Sequence, residues 1–177
     1  GDRVLVAEAW IPVPERLARY VRADEMHQAF NFDFLSSAWD AASYRRVIAE
    51  TMAANAAVGA PTTWVLSNHD VVRHATRLAR EDTSDTEGIS ASDPQPDAAL
   101  GIRRGRAATL MMLALPGSAY LYQGEELGLP EHTSVPDDLR QDPIWFRSES
   151  DQVGRDGCRI PLPWVGDAPG AGFSPTG

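Results

Sequence analysis

A chain of 177 residues with 43% apolar content and five tryptophans has the stock for one ordinary domain or for part of a larger one. Its net charge of -9 argues against nucleic acid or an anionic membrane as partner, because either would have to overcome like-charge repulsion, while a neutral small molecule is unaffected. All 16 basic residues are Arg, which removes Schiff-base and lysine-base chemistry and leaves planar, bidentate contacts.

In chain order, "VLVAEAW" at 4–10 has four consecutive apolar residues without alternation, the pattern of a strand covered on both faces. "PERLARYVRAD" from 14 places Leu17, Tyr20 and Val21 at helical spacing behind an N-terminal proline. "AFNFDFL" at 29–35 alternates Phe30, Phe32 and Phe34 and predicts a second strand. The next segment, from Asp40, sets Tyr44, Val47, Ile48 and Met52 on one helical face behind a capping aspartate. "PTTWVLSNHD" predicts a third strand, followed by a polar acidic loop at 81–97, a helix over about 98–115, and a fourth strand opening in "GSAYLYQGEELGL" at 117–129.

Strands alternating with amphipathic helices predict βα units around a parallel sheet. A doubly wound sheet would carry a phosphate loop or a dinucleotide fingerprint, and neither is in the text: Gly105 and Gly117 stand alone, and "VGRDGC" lacks the strand, lysine and spacing of a phosphate cradle. A (β/α)8 barrel puts polar residues at the C-terminal ends of several strands instead. Glu8, Asp33, His69 with Asp70, and Gln123 with Glu125 and Glu126 fall at such positions. A whole barrel takes about 250 residues, so four units predict half of one, with further units upstream. The start of the text agrees with that expectation, since Gly1 to Arg3 run without an initiator Met straight into a strand.

Glu8 follows four apolar residues, a setting that partly desolvates a carboxylate and suits a proton donor, or else a strand end bonded to a neighbouring loop. Asp70 reads as a second such carboxylate or as part of an Asx-type turn, and His69 as a hydroxyl-binding donor or a satisfied core histidine. Strand-mouth Glu, His and Asp with Trp10 and Trp64 close in sequence suit a sugar site, where aromatic faces stack on a ring and two carboxylates flank the bond to be cleaved. A metal-dependent phosphohydrolase built from His69, Asp70, His74, Asp33 and His27 is the competing reading. It lacks an H-x-x-x-H or H-E-x-x-H pair. Cys158 lies in a Gly-rich loop without a designated base, and as a lone cysteine it gives no sign of an oxidising compartment. With no signal-peptide pattern, and with the longest apolar stretch, 107–117, about half of what spans a bilayer, the expectation is a soluble, cytoplasmic protein.

Four ordered motifs then carry a resemblance to the alpha-amylase family of glycoside hydrolases, glycoside hydrolase family 13, in its alpha-glucosidase and oligo-1,6-glucosidase branch. "VLVAEAW" resembles the fifth-strand motif, whose Glu is the general acid/base, which implies that role for Glu8. "WVLSNHD" resembles the seventh-strand motif, implying that His69 binds the glucosyl unit, with Asn68 beside it, and that Asp70 stabilises the transition state. "LPGSAYLYQGEELGL" is similar to the eighth strand and its loop. "GRDGCRIPLPW" at 154–164 resembles the segment after it, with Ile160 and Leu162 departing conservatively, and "FNFDF" fits the sixth strand.

Arg73 matches an arginine found near the substrate in this branch, and Trp10 joins the implied substrate-binding set. The resemblance implies strands five to eight of the barrel over residues 1–177, with 130–177 the loop region after strand eight and with the upstream half and a C-terminal β domain absent. It also implies an oligosaccharide substrate, no cofactor, and a retaining mechanism whose nucleophile belongs to a Gly-x-Arg-x-Asp motif that this text lacks. The chain alone is therefore expected to be inactive. A trehalose synthase, a sucrose isomerase or a non-catalytic carbohydrate-binding scaffold of the same fold stays open, as does the oligomeric state.

Overall fold

The computed structural model describes residues 2–174, so Gly1 and the last three positions of the 130–177 region lie outside it. Two parallel strand pairs form its centre. β1 (Val6–Ala7) pairs with β2 (Gln28–Ala29), with Val6 opposite Gln28, and β3 (Thr63–Val65) pairs with β4 (Ser118–Tyr120), with Trp64 opposite Ala119. A backbone bond from Asn31 N, just beyond β2, to Thr63 O on β3, 3.2 Å, sets the two pairs side by side in one row. The Gln28 side chain reaches across that row to β4, donating to Ser118 Oγ at 2.7 Å and accepting from Tyr120 OH. Contact between alternate strands is what a row curved toward barrel closure produces on its concave side.

The connections are helices, as expected. α1 (Pro14–Leu17) starts on its proline and continues as a 3-10 turn, Ala18–Val21; the helix buries Leu17 and the turn Val21, while the predicted Tyr20 is left exposed. α3 (Ala41–Ala57) is capped by Asp40, whose Oδ1 accepts from Ala42 N and Ser43 N at 2.9 Å and whose Oδ2 accepts from Ser43 Oγ at 2.6 Å; the Ser43 hydroxyl first, and the two amides with it, hold the carboxyl below its ordinary range. α5 (Ala98–Ala114) is capped in the same way by Asp97.

Two sequence expectations are corrected. The Phe-rich segment is not a strand: beyond β2 it turns at Asn31, whose Oδ1 accepts from Phe34 N at 2.9 Å and starts the short helix α2 (Phe32–Leu35). In a strand Phe32 and Phe34 would share a face. Residues two apart on a helix point to opposite sides, so Phe34 joins Tyr44, Val47, Trp64 and Met112 beneath the helices, while Phe32 packs with Leu35, Val65 and Val71 on the concave side. The opening strand is also less covered than its composition implied, with Val4 65% and Leu5 57% exposed and only Ala7 buried. β3 does show the pattern of a strand buried on both faces, with Trp64 and Val65 going to opposite clusters.

The acidic loop at 81–97 is anchored to the body of the fold at two buried positions, Thr83 and Ile89. Trp39 N donates to Thr83 Oγ1 at 2.6 Å, Arg77 Nη1 to Thr83 O at 3.1 Å, and Ile89 is buried. Gly88 packs so closely on the Gly154 backbone that a Cβ would collide with its carbonyl.

Candidate active site

The segments that follow β1 and β3 meet in one place. Ligand atoms of Glu8, His69 and Asp70 lie within 4.8 Å of one another, beside a cleft of about 180 Å³ lined by Glu8, Asn68, His69, Phe30, Tyr120 and Tyr122 among others. Asp70 follows an Asx turn, in which Asn68 Oδ1 accepts from Asp70 N at 2.8 Å. The turn reading and the site reading of this tripeptide are therefore both realised, because the turn is what aims Asp70. Asn68 Nδ2 is buried without a partner among the described residues.

Asp70 Oδ1 accepts from Arg155 Nη1 at 2.8 Å and Arg159 Nη2 at 2.9 Å, and His69 Nε2 lies 3.5 Å away. Arg159 Nε also donates to His69 O at 2.7 Å, so one guanidinium braces both residues of the pair. Asp70 Oδ2 takes no hydrogen bond among the described residues, which leaves one carboxylate oxygen for a ligand hydroxyl. Glu8 is exposed, so the desolvation expected from its apolar run is not realised among the described residues. A cation held by Glu8, His69 and Asp70 would share the Asp70 carboxylate with two guanidiniums, an arrangement that repels it.

The other sequence candidates are placed elsewhere or differently. Trp10 is half exposed and stacks on Phe32, with ring centroids 4.0 Å apart and planes at 15°, at the edge of the cleft. Trp64 is not a stacking platform: it is fully buried and donates through Nε1 to Pro116 O at 2.9 Å. Arg73 is 1% exposed and its guanidinium is used within the protein, with Nη1 on Gln123 O, Nη2 on Cys158 O and the group lying over the Tyr122 ring. It fastens the loops behind the cleft and does not present itself to the opening.

The residues of the phosphohydrolase reading are not brought together. His74, on α4 (His74–Arg77), sits with Nδ1 2.9 Å from Glu125 Oε1 in a buried pair. His27 Nδ1 accepts from Leu5 N, and Asp33 lies on α2, raised by burial and facing Arg46 and Glu50. Gln123, Glu125 and Glu126 shape the loop after β4: Glu125 accepts from Tyr122 N and Glu126 from Gly124 N. The Cys158 thiol is buried and pushed up to about 12, which makes it inert at neutral pH, while its carbonyl holds Arg73.

Sequence reasoning did not single out Arg155, Arg159, Asp142 or Glu131. The signal for the arginines was in "GRDGCR", where two guanidiniums four residues apart flank a turn. Arg155 also grips Asp142, whose carboxyl those bonds hold down at about 2. Glu131 caps Arg73 N at 2.9 Å and is pushed up to about 7 by burial.

The chain is 35% identical over 153 residues to a probable alpha-glucosidase of Rhizobium meliloti, covering 85% of this chain and 24% of that protein. To a trehalose synthase/amylase of Mycobacterium tuberculosis it is 32% identical, covering 97% and 29%. Among solved structures, an alpha-glucosyl transfer enzyme superposes with a TM-score of 0.75 at 32% identity, covering 98% of this chain and 29% of that one. The chain thus spans about a quarter to three-tenths of the length of these relatives. The parallel strand row, its helices, the carboxylates at the strand mouths and a match of residues 1–177 to the alpha amylase catalytic domain agree, and the chain belongs to that family of (β/α)8-barrel glycoside hydrolases.

Proposed function

We propose that this chain is the part of a retaining α-glucosidase barrel that handles the proton and steadies the glucosyl ring. The observation that carries the reading is the meeting of Glu8, His69 and Asp70 within 4.8 Å at the mouths of two different strands. Glu8, exposed to the cleft, protonates the leaving oxygen and later activates water, since microscopic reversibility gives both transfers to one residue. Asp70, with Oδ1 held by Arg155 and Arg159, offers Oδ2 to a ring hydroxyl, and His69 donates to a second. The aromatic walls supply the apolar face that a sugar ring needs.

The four strands are assigned as five to eight of the barrel, with the nucleophile on a strand outside this sequence. Open apolar surface at both ends of the row supports this: Val4 and Leu5 at β1, and Leu110, Leu113 and Leu127 near β4, are each more than half exposed. A closed barrel would cover those edges. The chain alone is expected to lack turnover. A cytoplasmic location is part of the reading, supported by the lone buried cysteine, and cell fractionation tests it.

Alpha-glucosyl transfer or isomerisation is the second reading, favoured by relatives that include a trehalose synthase/amylase and an alpha-glucosyl transfer enzyme. The test is to incubate the full-length protein with 4-nitrophenyl α-glucoside and with maltose and to follow nitrophenol, glucose and new disaccharides. Hydrolysis abolished in Asp70→Asn supports the first reading, disaccharide products the second, and no turnover of either substrate refutes both.

A further inference from the structure

Behind Asp70 stands a second carboxylate that touches nothing in the cleft. Asp142, 2% exposed, caps the helix α6 (Pro143–Arg147) by accepting from Ile144 N at 3.0 Å. It also accepts from Arg155 N at 2.9 Å, Arg155 Nε at 2.5 Å and Arg155 Nη2 at 3.3 Å. The Asp142 backbone is fixed in turn, since its N–H and that of Gln141 donate to Asp156 Oδ2 at 3.1 and 2.9 Å. A guanidinium is planar, so holding Nε and Nη2 determines where Nη1 points. Nη1 points at Asp70 Oδ1, 2.8 Å away.

Without Asp142 nothing comparable would hold this side chain. Arg155 is 39% exposed, and a long cationic side chain with one anchor regains its rotamer freedom in water. Arg159 would then hold Asp70 alone, and the carboxylate could turn about its terminal torsion and lose the division between a tied oxygen and a free one.

We propose that Asp142 is a positioning residue of the sugar site: by clamping Arg155 it fixes Asp70 Oδ1 and so aims Oδ2 at one hydroxyl of the bound glycosyl ring. The proposal rests on the glycosidase reading given above. Because Asp142 acts through one hydroxyl contact, its loss affects substrates unequally, which a merely structural role would not do.

The experiment uses the full-length protein and compares wild type, Asp142→Asn, Asp142→Glu and Arg155→Lys on 4-nitrophenyl α-glucoside and its monodeoxy analogues. Asp142→Asn is expected to lower kcat roughly 10- to 100-fold on the parent glucoside with little change in KM, the scale of misplacing a substrate-positioning group. On the one analogue lacking the hydroxyl that Asp70 holds, identified as that on which Asp70→Asn costs least, the loss shrinks to about threefold or less. Asp142→Glu, which keeps the charge, recovers part of the rate. Should Asp142→Asn fail to fold, Arg155→Lys carries the test, because an ammonium cannot span both carboxylates and gives the same selective pattern. Equal losses on every analogue, or no loss on any, overturn the proposal. A wild type that cleaves no α-glucoside overturns the glycosidase reading itself, and is distinguishable because it appears before any variant is made.

Discussion

Replacing Glu131 by Gln should make the protein more stable at alkaline pH than the wild type, and by an amount the structure sets. Glu131 is 7% exposed, and burial pushes its carboxyl from an ordinary 4.5 up to about 7, outweighing the Arg73 N–H and the Arg73 charge, which pull it down. The folded state therefore keeps the proton at pH values where the unfolded chain has released it. Stability from this group is fully present below pH 4.5, falls as pH rises through the folded value of about 7, and is constant above.

At about 1.4 kcal/mol per pKa unit, the fully ionised carboxylate costs about 3 kcal/mol. Gln keeps an oxygen for Arg73 N and has no charge to bury. Denaturant unfolding of wild type and Glu131→Gln at pH 5 and pH 8 should show the advantage of the variant growing by roughly 2–3 kcal/mol between the two. A difference that stays constant with pH within about 0.5 kcal/mol, or a variant weaker than wild type at pH 8, would refute the argument from burial.

Gly117 has φ +113°, and a Cβ there would strike the Thr62 carbonyl and hydroxyl, so Gly117→Ala should cost about 2 kcal/mol or more and shift the unfolding midpoint accordingly. Cys158, buried and pushed up to about 12, should react with iodoacetamide at pH 8 roughly a thousandfold more slowly in the native protein than in urea; comparable rates would mean that the thiol is open.

How much of this was legible in the sequence depended on how local its cause was. Helix caps were readable, because Asp40 acts on residues two and three positions on. Glu8, His69 and Asp70 could be found from their places after apolar runs, and their meeting needed only the rule that barrel strands present their ends together. The Phe-rich segment misled because alternation of three large side chains is a strand signal only while the backbone stays extended. Asn31 ends that extension, through a cap to Phe34 N and a bond from its Nδ2 to Thr51 Oγ1 on α3 that no local pattern announces. Trp64 and Arg73 carry side chains equally suited to a ligand or to the interior. Burial, which decided both, comes from helices and loops distant in sequence. The clamp on Asp70 was out of reach for the same reason, because Arg155 and Arg159 lie 85 and 89 positions beyond it.

If Glu8 moves the proton, the leaving-group dependence of Glu8→Gln in the full-length protein shows it. In the variant 2,4-dinitrophenyl α-glucoside, whose leaving group needs no proton, should keep most of its rate of glycosyl transfer to the enzyme, while maltose should lose roughly 100-fold or more, the scale of general acid catalysis. Equal losses on the two substrates would remove Glu8 from the acid role.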